Sequence, residues 1–582
     1  MNGQDYLAPF MTPFTPEVRS RLATRLRTLY GDDFDADAFL LRLNPGAAEA
    51  MQTREAGWSE RDVVLITYGD SIRTADGAEP PLRTLSQTLR TRLAGLFSDV
   101  HLLPCFPFTS DDGFSVSDYR TIDPKLGDWG DVEELSEVCT VAFDLVINHC
   151  SASHDWFAKC VAGEQPYRDY FISVDPSTDL SQVTRPRSLP LLTPVETAEG
   201  VRHFWTTFSP DQLDLNVGNP DVLREMLEVL LLYIARGGRI IRLDAIAFLW
   251  KQIGTTCLHL PQTHEVVKLM RDLVDAVAPH AILLTETNVP HAENVSYFGD
   301  GDEAHMVYQF SLAPLLLDAY VHEDATYLAR WLESLERPPE GCTYFNFTAS
   351  HDGIGVRPME GLAPPERLDG LIARVRDNGG HVSTRTKPDG SESPYELNIT
   401  WWSALQVEDP ERSLRRFLSS QMVQVSLQGI PGVYVHSLFG TPNWTEGVAE
   451  TGRARTINRR PLTTDAIARW TDDDPIRHRV LTGMGQILRF RRGHRAFDPE
   501  SPQRVVSTND QTLQIVRGGG GFGDPIELAV NLTSLPQRID WVKGTAFTEL
   551  PPFAAVWRTA DGTLHGPMAD DAQSSAANSP AS

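Results

Sequence analysis

Five polar side chains stand at or just past the C-terminal ends of four short apolar, β-rich runs. His149 closes 143-FDLVINH-149, Asp244 follows 240-IIRL-243, Glu286 follows 281-AILLT-285, and His351 and Asp352 close 343-TYFNFTASHD-352. Three carboxyl groups gathered at one point are the equipment of glycoside chemistry. One attacks the anomeric carbon, one protonates the leaving oxygen, and a third steadies the oxocarbenium-like centre or holds sugar hydroxyls. Each residue also has a plainer reading by itself. Asp244, two residues from Arg242 on one strand face, is equally half of a buried ion pair; Glu286 can cap the next helix; His149 can be a hydrogen-bonded interior histidine. Recurrence at successive strand ends favours the chemical reading, because barrel enzymes draw their catalytic groups from there.

The elements that must position these groups repeat along the chain. The runs 63-VVLITY-68, 100-VHLLPCF-106, 143-FDLVINH-149, 240-IIRLDAIAF-248, 281-AILLTET-287, 305-HMVYQF-310, 343-TYFNFTASHD-352 and 430-IPGVYVHS-437 alternate with amphipathic helices. Eight such units predict an α/β fold, a (β/α)₈ TIM barrel. In 82-LRTLSQTLRTRLAGLF-97 the leucines at 82, 85, 89, 93 and 96 share one helical face. In 220-PDVLREMLEVLLLYIARGG-238, Asn219 is placed as N-cap, Pro220 as the first helical residue and Gly237 as the stop.

The expected organisation is a helical extension (1–60, with Val18, Leu22, Leu26 and Leu29 at helical spacing), then the barrel in three parts (61–150, 220–352, 413–494). Two insertions interrupt it: 151–219 after the third strand, a B domain, and 353–412 after the seventh. Insertions after barrel strands border the active-site mouth. A C-terminal β domain (495–565) and a low-complexity tail expected to be disordered (566–582) complete the chain.

A formal charge of −26 argues against a nucleic acid or an anionic membrane as partner. Any phosphate-handling site would need a local cluster of arginines against that background. The N-terminus has no basic segment followed by an apolar core, and no stretch approaches the roughly 18 apolar residues of a membrane span. The six cysteines (Cys105, Cys139, Cys150, Cys160, Cys257, Cys342) form no CxxC pair. They read as buried thiols in a reducing cytoplasm, with no metal or redox role.

The segments 103-LPCFPFTSDDGFSVSDYRTIDPKLGDW-129, 143-FDLVINH-149, 240-IIRLDA-245, 285-TETN-288 and 348-TASHDGIG-355 resemble the conserved regions of the α-amylase superfamily. More narrowly they look like its sucrose phosphorylase branch, over about residues 63–460. The resemblance implies Asp244 as nucleophile, Glu286 as general acid/base and Asp352 as transition-state stabiliser. It implies that Arg242 orients Asp244 and holds its pKa down, while Glu286 must have a raised pKa. His149 and His351 would bind glucosyl hydroxyls, with Asp111 and Arg459 completing the pocket and Phe114 as an apolar platform. The reaction would retain anomeric configuration and use no metal and no cofactor.

Phosphate rather than water is suggested by 185-RPR-187, which matches the branch's Arg-Pro-Arg loop; guanidinium forks suit an oxyanion. The extension and the run RPRSLPLLTP depart from typical sucrose phosphorylases, as does Glu396 in 394-PYELN-398, where glutamine is common at a substrate-binding position. The first two, with 200-GVRHFWTTFSPDQLDLN-216, look closer to the glucosylglycerate phosphorylase type. The expected partners are therefore small molecules: an α-glucoside, phosphate, glucose 1-phosphate and glycerate, whose negative charge calls for Arg185 or Arg187. A monomer or homodimer is expected. The alternatives are sucrose or sucrose 6-phosphate phosphorolysis, then α-glucoside hydrolysis. An inactive binding or scaffold subunit would be expected to have lost a catalytic carboxylate, and all three are present.

Overall fold

The computed structural model describes residues 14–43, 57–187, 189–386, 391–506, 509–542 and 547–572. Eight strands form the central barrel: β1 (Val64–Thr67), β2 (Asp99–Leu102), β3 (Thr140–Leu145), β4 (Gly238–Leu243), β5 (Ile282–Thr285), β6 (Met306–Tyr308), β7 (Thr343–Phe347) and β8 (Ile430–Tyr434). Every neighbouring pair is parallel, and β8 returns to β1 with Gly432 opposite Val64, so the sheet closes. The predicted (β/α)₈ barrel is the fold observed. Almost every strand residue is buried, as expected where helices cover the outer face and side chains fill the interior.

The strands end earlier than the apolar runs. β3 stops at Leu145, and His149–Ser151 pairs instead with Gln212–Asp214, His149 lying opposite Asp214. β4 stops at Leu243; Ala245 takes a left-handed conformation (φ 51°) and Ile246–Phe248 form a 3₁₀ turn. The site residues thus sit just past the barrel strands, Asp244 at a turn and His149 in a short second pairing. The leucines at 82, 85, 89, 93 and 96 are all buried, although the helix proper is Pro81–Arg90. Helix Pro220–Ala235 is capped as expected: the Asn219 side chain accepts the Asp221 N–H at 3.0 Å and Gly237 has φ 93°.

The loop after β3 carries the hairpin Leu192–Thr197/Gly200–Trp205, and the loop after β7 carries a three-stranded sheet of Ile354–Gly355, Glu392–Asn398 and His381–Thr386. Near the C-terminus a five-stranded sheet docks on the barrel through Trp557 Nε1, which donates to Ser426 Oγ at 2.8 Å. Disorder does not begin at 566 as expected: Met568, Ala569 and Ala572 are buried and Asp571 pairs with Arg415 at 2.8 Å. Residues 573–582 of the expected tail lie outside the described residues.

Of the N-terminal extension, residues 1–13 and 44–56 lie outside the described residues. Helix Pro16–Tyr30 buries Leu22, Leu26 and Leu29 against the flank of the barrel. Arg21 and Arg25 both reach Asp272 of helix Pro261–Val277, at 2.8 and 3.0 Å, and Tyr30 Oη donates to the Val217 carbonyl at 2.8 Å. Leu26→Ala should lower the unfolding free energy by about 2–5 kcal/mol, as emptying a packed interior site does. Denaturant melts would measure that loss, and turnover should stay at the parent's level because the helix packs on the outside of the barrel.

Candidate active site

Arg242, buried on β4, organises the barrel mouth. Its Nη1 donates to Asp144 Oδ1 on β3 and, at 2.8 Å, to Asp244 Oδ1; its Nη2 lies 3.9 Å from Glu286 Oε2. Asp144 is held on its other oxygen by His101 Nε2 at 2.8 Å. The left-handed turn at Ala245 aims that residue's N–H at Glu286 Oε2, 3.0 Å away. One guanidinium and one backbone turn therefore register the ends of three adjacent strands against each other.

This arrangement divides the carboxyl groups electrostatically. Burial pushes the Asp244 carboxyl well above its ordinary range; Arg242 pulls against that, while Glu286 and Asp144 add to it. Arg242 does pull Asp244 down, as the resemblance implied, but its charge is shared with Asp144 and burial carries the net direction upward. Burial likewise raises Glu286, opposed by Arg242 and reinforced by Asp352. Burial also pushes Asp352 upward, but Arg455, His351 and Arg459 overcome it and hold that carboxyl below its usual range. His149 is lowered to about 4 and His351 to about 3, in both cases by burial, so both rings are neutral near pH 7.

The cavity above these groups measures about 570 Å³. Asp244, Glu286, His351, Asp352, Arg242 and His149 all border it, as do Asp111, Phe114 and Arg187 from the loops. Phe114 stacks on His351 with centroids 4.9 Å apart and an 11° tilt, and its carbonyl meets His149 Nε2 at 2.9 Å. Arg187 Nη2 donates to Asp111 Oδ2 at 3.1 Å, which, with Arg455 and Arg459 nearby, overcomes burial and lowers Asp111 to about 2.

Three expected ligand-binding residues stand elsewhere. Glu396 lies behind the wall, where it accepts from the Gly353 N–H and pairs with Arg455 Nη2 at 2.9 Å. Arg459 is also one layer back, its Nε donating to the His351 carbonyl at 2.9 Å and its Nη1 to Asp112. Arg185 folds onto the Leu189 carbonyl and borders a second cavity of about 530 Å³, which shares Glu286, Pro186, Phe208 and Tyr395 with the first.

Sequence reasoning missed Arg455, whose Nη1 pairs with Asp352 Oδ1 at 2.9 Å, and the cavity-lining Phe208, Gln212, Asn288 and Tyr395. The basic cluster 453-RARTINRR-460, conspicuous in so acidic a chain, was the available signal. Among the described residues no group of three or more His, Cys, Asp or Glu side chains is arranged to hold a metal ion. Between Asn148 and Asp214 sits the Lys251 ammonium, 2.6 and 2.5 Å from their side-chain oxygens.

Residues 95–352 match the family model described as the catalytic domain of alpha amylase. The chain is 46% identical over 560 residues to a glucosylglycerate phosphorylase of Allomeiothermus silvanus, covering 94% of this chain and 100% of that protein. A sucrose phosphorylase of Bifidobacterium adolescentis is 30% identical over 75% of this chain and 86% of that protein. Among solved structures, a sucrose 6F-phosphate phosphorylase from Thermoanaerobacter thermosaccharolyticum superposes with a TM-score of 0.72 at 24% identity, covering 87% of this chain and 97% of that one; it has the same fold.

The buried histidines give a test of the electrostatics. Between pH 6.5 and about 4 the unfolded chain protonates at His149 and His351 while the folded one does not, so these two groups make stability fall as pH drops through that window. Asp244 and Glu286, being raised, act in the opposite sense, so single variants separate the contributions. His351→Asn should flatten the fall in melting temperature relative to the parent in a series from about pH 7 to 4.5.

Proposed function

The chain belongs to the α-amylase family, within its sucrose phosphorylase branch, and from that premise we propose that it is a retaining α-glucoside phosphorylase, reversibly converting 2-O-α-D-glucosyl-D-glycerate and phosphate to α-D-glucose 1-phosphate and D-glycerate. The observation that carries this reading is the identity to glucosylglycerate phosphorylases, which is much higher than that to sucrose phosphorylases. Its substrates are small molecules. A reducing, cytoplasmic setting belongs to the same proposal, supported by six buried cysteines that are all free.

In this mechanism the Asp244 carboxylate attacks the anomeric carbon. The bond from that carbon to the glycerate oxygen breaks, its electron pair stays on the oxygen, and Glu286 gives that oxygen its proton. Burial raises the Glu286 carboxyl, which favours its proton-bearing form. An oxygen of phosphate then attacks the same carbon, Glu286 takes up the phosphate proton, and Asp244 leaves as the carboxylate. Two inversions restore the α configuration. During the second step the Ala245 N–H and Arg242 steady the ionised Glu286.

Asp352, kept ionised by Arg455, faces the positive charge that builds on the sugar ring. The neutral rings of His149 and His351 suit the binding of sugar hydroxyls, and Phe114 provides an apolar surface beside them. Arg187, in the loop over the cavity, supplies a cation for phosphate beyond its bond to Asp111.

The test supplies purified protein with α-glucose 1-phosphate and, separately, D-glycerate, fructose, fructose 6-phosphate, glycerol or buffer alone, and follows phosphate release. Rapid release with D-glycerate only is expected. Preference for fructose or its phosphate would overturn the acceptor, and equal release in buffer would overturn phosphorolysis in favour of hydrolysis. Asp244→Asn and Glu286→Gln should each lower kcat by at least about a hundredfold. Arg187→Ala should raise the KM for phosphate by about tenfold or more.

A further inference from the structure

The second cavity is lined on one side by cations that the protein leaves under-neutralised. Arg357 stands on the short 3₁₀ turn Arg357–Met359 and Arg385 on the strand His381–Thr386, both in the loop after β7, and both border the cavity that Glu286 shares. The Nε atoms of Arg357 and Arg385 are buried and have no hydrogen-bond partner. Among the described residues Arg385 has one ion-pair partner, Glu360, 3.3 Å away, whose side chain is 49% exposed, and no carboxylate pairs with Arg357. The two guanidinium groups repel each other, and this repulsion adds to burial in lowering Arg385. Desolvated donors without partners cost free energy until something fills them. The ligand that would do so here is an anion, and its position beside Glu286 is that of the group leaving the sugar.

We propose that Arg357 and Arg385 form the carboxylate-reading end of the acceptor subsite, so that the preferred leaving group is a small hydroxy acid with its carboxylate against these guanidinium groups and its hydroxyl oxygen at Glu286. This rests on the phosphorylase reading above and deepens it. The two anions of the reaction are then held by different arginines. Arg187, tied to Asp111 in the first cavity, serves phosphate, while Arg185, turned onto the Leu189 carbonyl, serves neither directly. Asn288 borders both cavities with its Oδ1 buried and unpartnered, and that oxygen is an acceptor for a remaining hydroxyl of the acid. A neutral acceptor such as fructose or glycerol leaves the arginine donors unsatisfied. Rejection of neutral acceptors therefore comes from the cost of leaving the pair empty as well as from attraction to the right one.

The experiment compares the full-length parent with Arg385→Gln, Arg357→Gln and the charge-keeping Arg385→Lys in the synthetic direction. The KM values for D-glycerate and α-glucose 1-phosphate are measured, along with the ratio of kcat/KM for D-glycerate to that for glycerol, which has the same carbon skeleton without the carboxylate. Each glutamine variant should raise the KM for D-glycerate and lower that ratio by about tenfold to a hundredfold, the effect of losing charged hydrogen bonds. The KM for glucose 1-phosphate should move far less, and Arg385→Lys should recover part of the loss. If either glutamine variant fails to fold, the other and Arg385→Lys decide the question by the same ratio. A parent that uses D-glycerate, with the ratio unchanged in the folded variants, would overturn this inference alone and leave the function standing. A parent that turns over fructose but not D-glycerate would overturn both.

Discussion

A single buried cation holds the catalytic end of this barrel together. Arg242 is bonded to Asp144 and Asp244 and lies within 4 Å of Glu286, so β3, β4 and β5 cannot shift against one another without leaving a charge unpaired in the interior. Removing one partner of such a buried set costs far more than the set itself contributes to stability. The gain is positional. The Asp244 and Glu286 carboxyl groups are held by the same guanidinium and, at Glu286, by the N–H of a left-handed turn.

Around that centre the protein arranges arginines in layers within a molecule whose net charge is −26. Arg455 touches Asp352 directly and is itself clamped by Glu396; Arg459 supports His351 from behind and is anchored on Asp112. These paired cations keep one carboxyl ionised. The pair at the second cavity differs because, among the described residues, one exposed carboxylate, Glu360, pairs with Arg385 and none pairs with Arg357. The contrast separates arginines that serve the architecture from arginines left open to a ligand.

The pKa pattern follows from the same economy of partners. Asp352 faces two arginines, Arg455 and Arg459, and is lowered, whereas Asp244 and Glu286 share the one Arg242 with Asp144 and are raised by burial. The histidines have no compensating charge strong enough to offset burial and stay neutral. One carboxyl held low by arginines, two raised by burial and two neutral rings thus meet at a single cavity.

The eight strands, the helix that Asn219 caps and the three carboxyl groups were legible in the chain, because apolar periodicity and residue type at a strand end are local properties. The sequence by itself determined the barrel and named Asp244, Glu286, Asp352, His149, Asp111, Phe114 and Arg187 as candidates, which the fold gathers at one cavity. It did not distinguish Arg455 from Arg459 four residues on, or Glu396 from its neighbour Tyr395. Arg455 meets its partner Glu396 across 59 positions, through a loop whose path no local pattern specifies. Nor could it show that Arg242 is shared among carboxylates, since a charge's effect depends on how many partners divide it. Which arginines face a cavity, which are already paired and which stand open was decided by tertiary structure alone: burial and pairing arise only when distant loops are brought together.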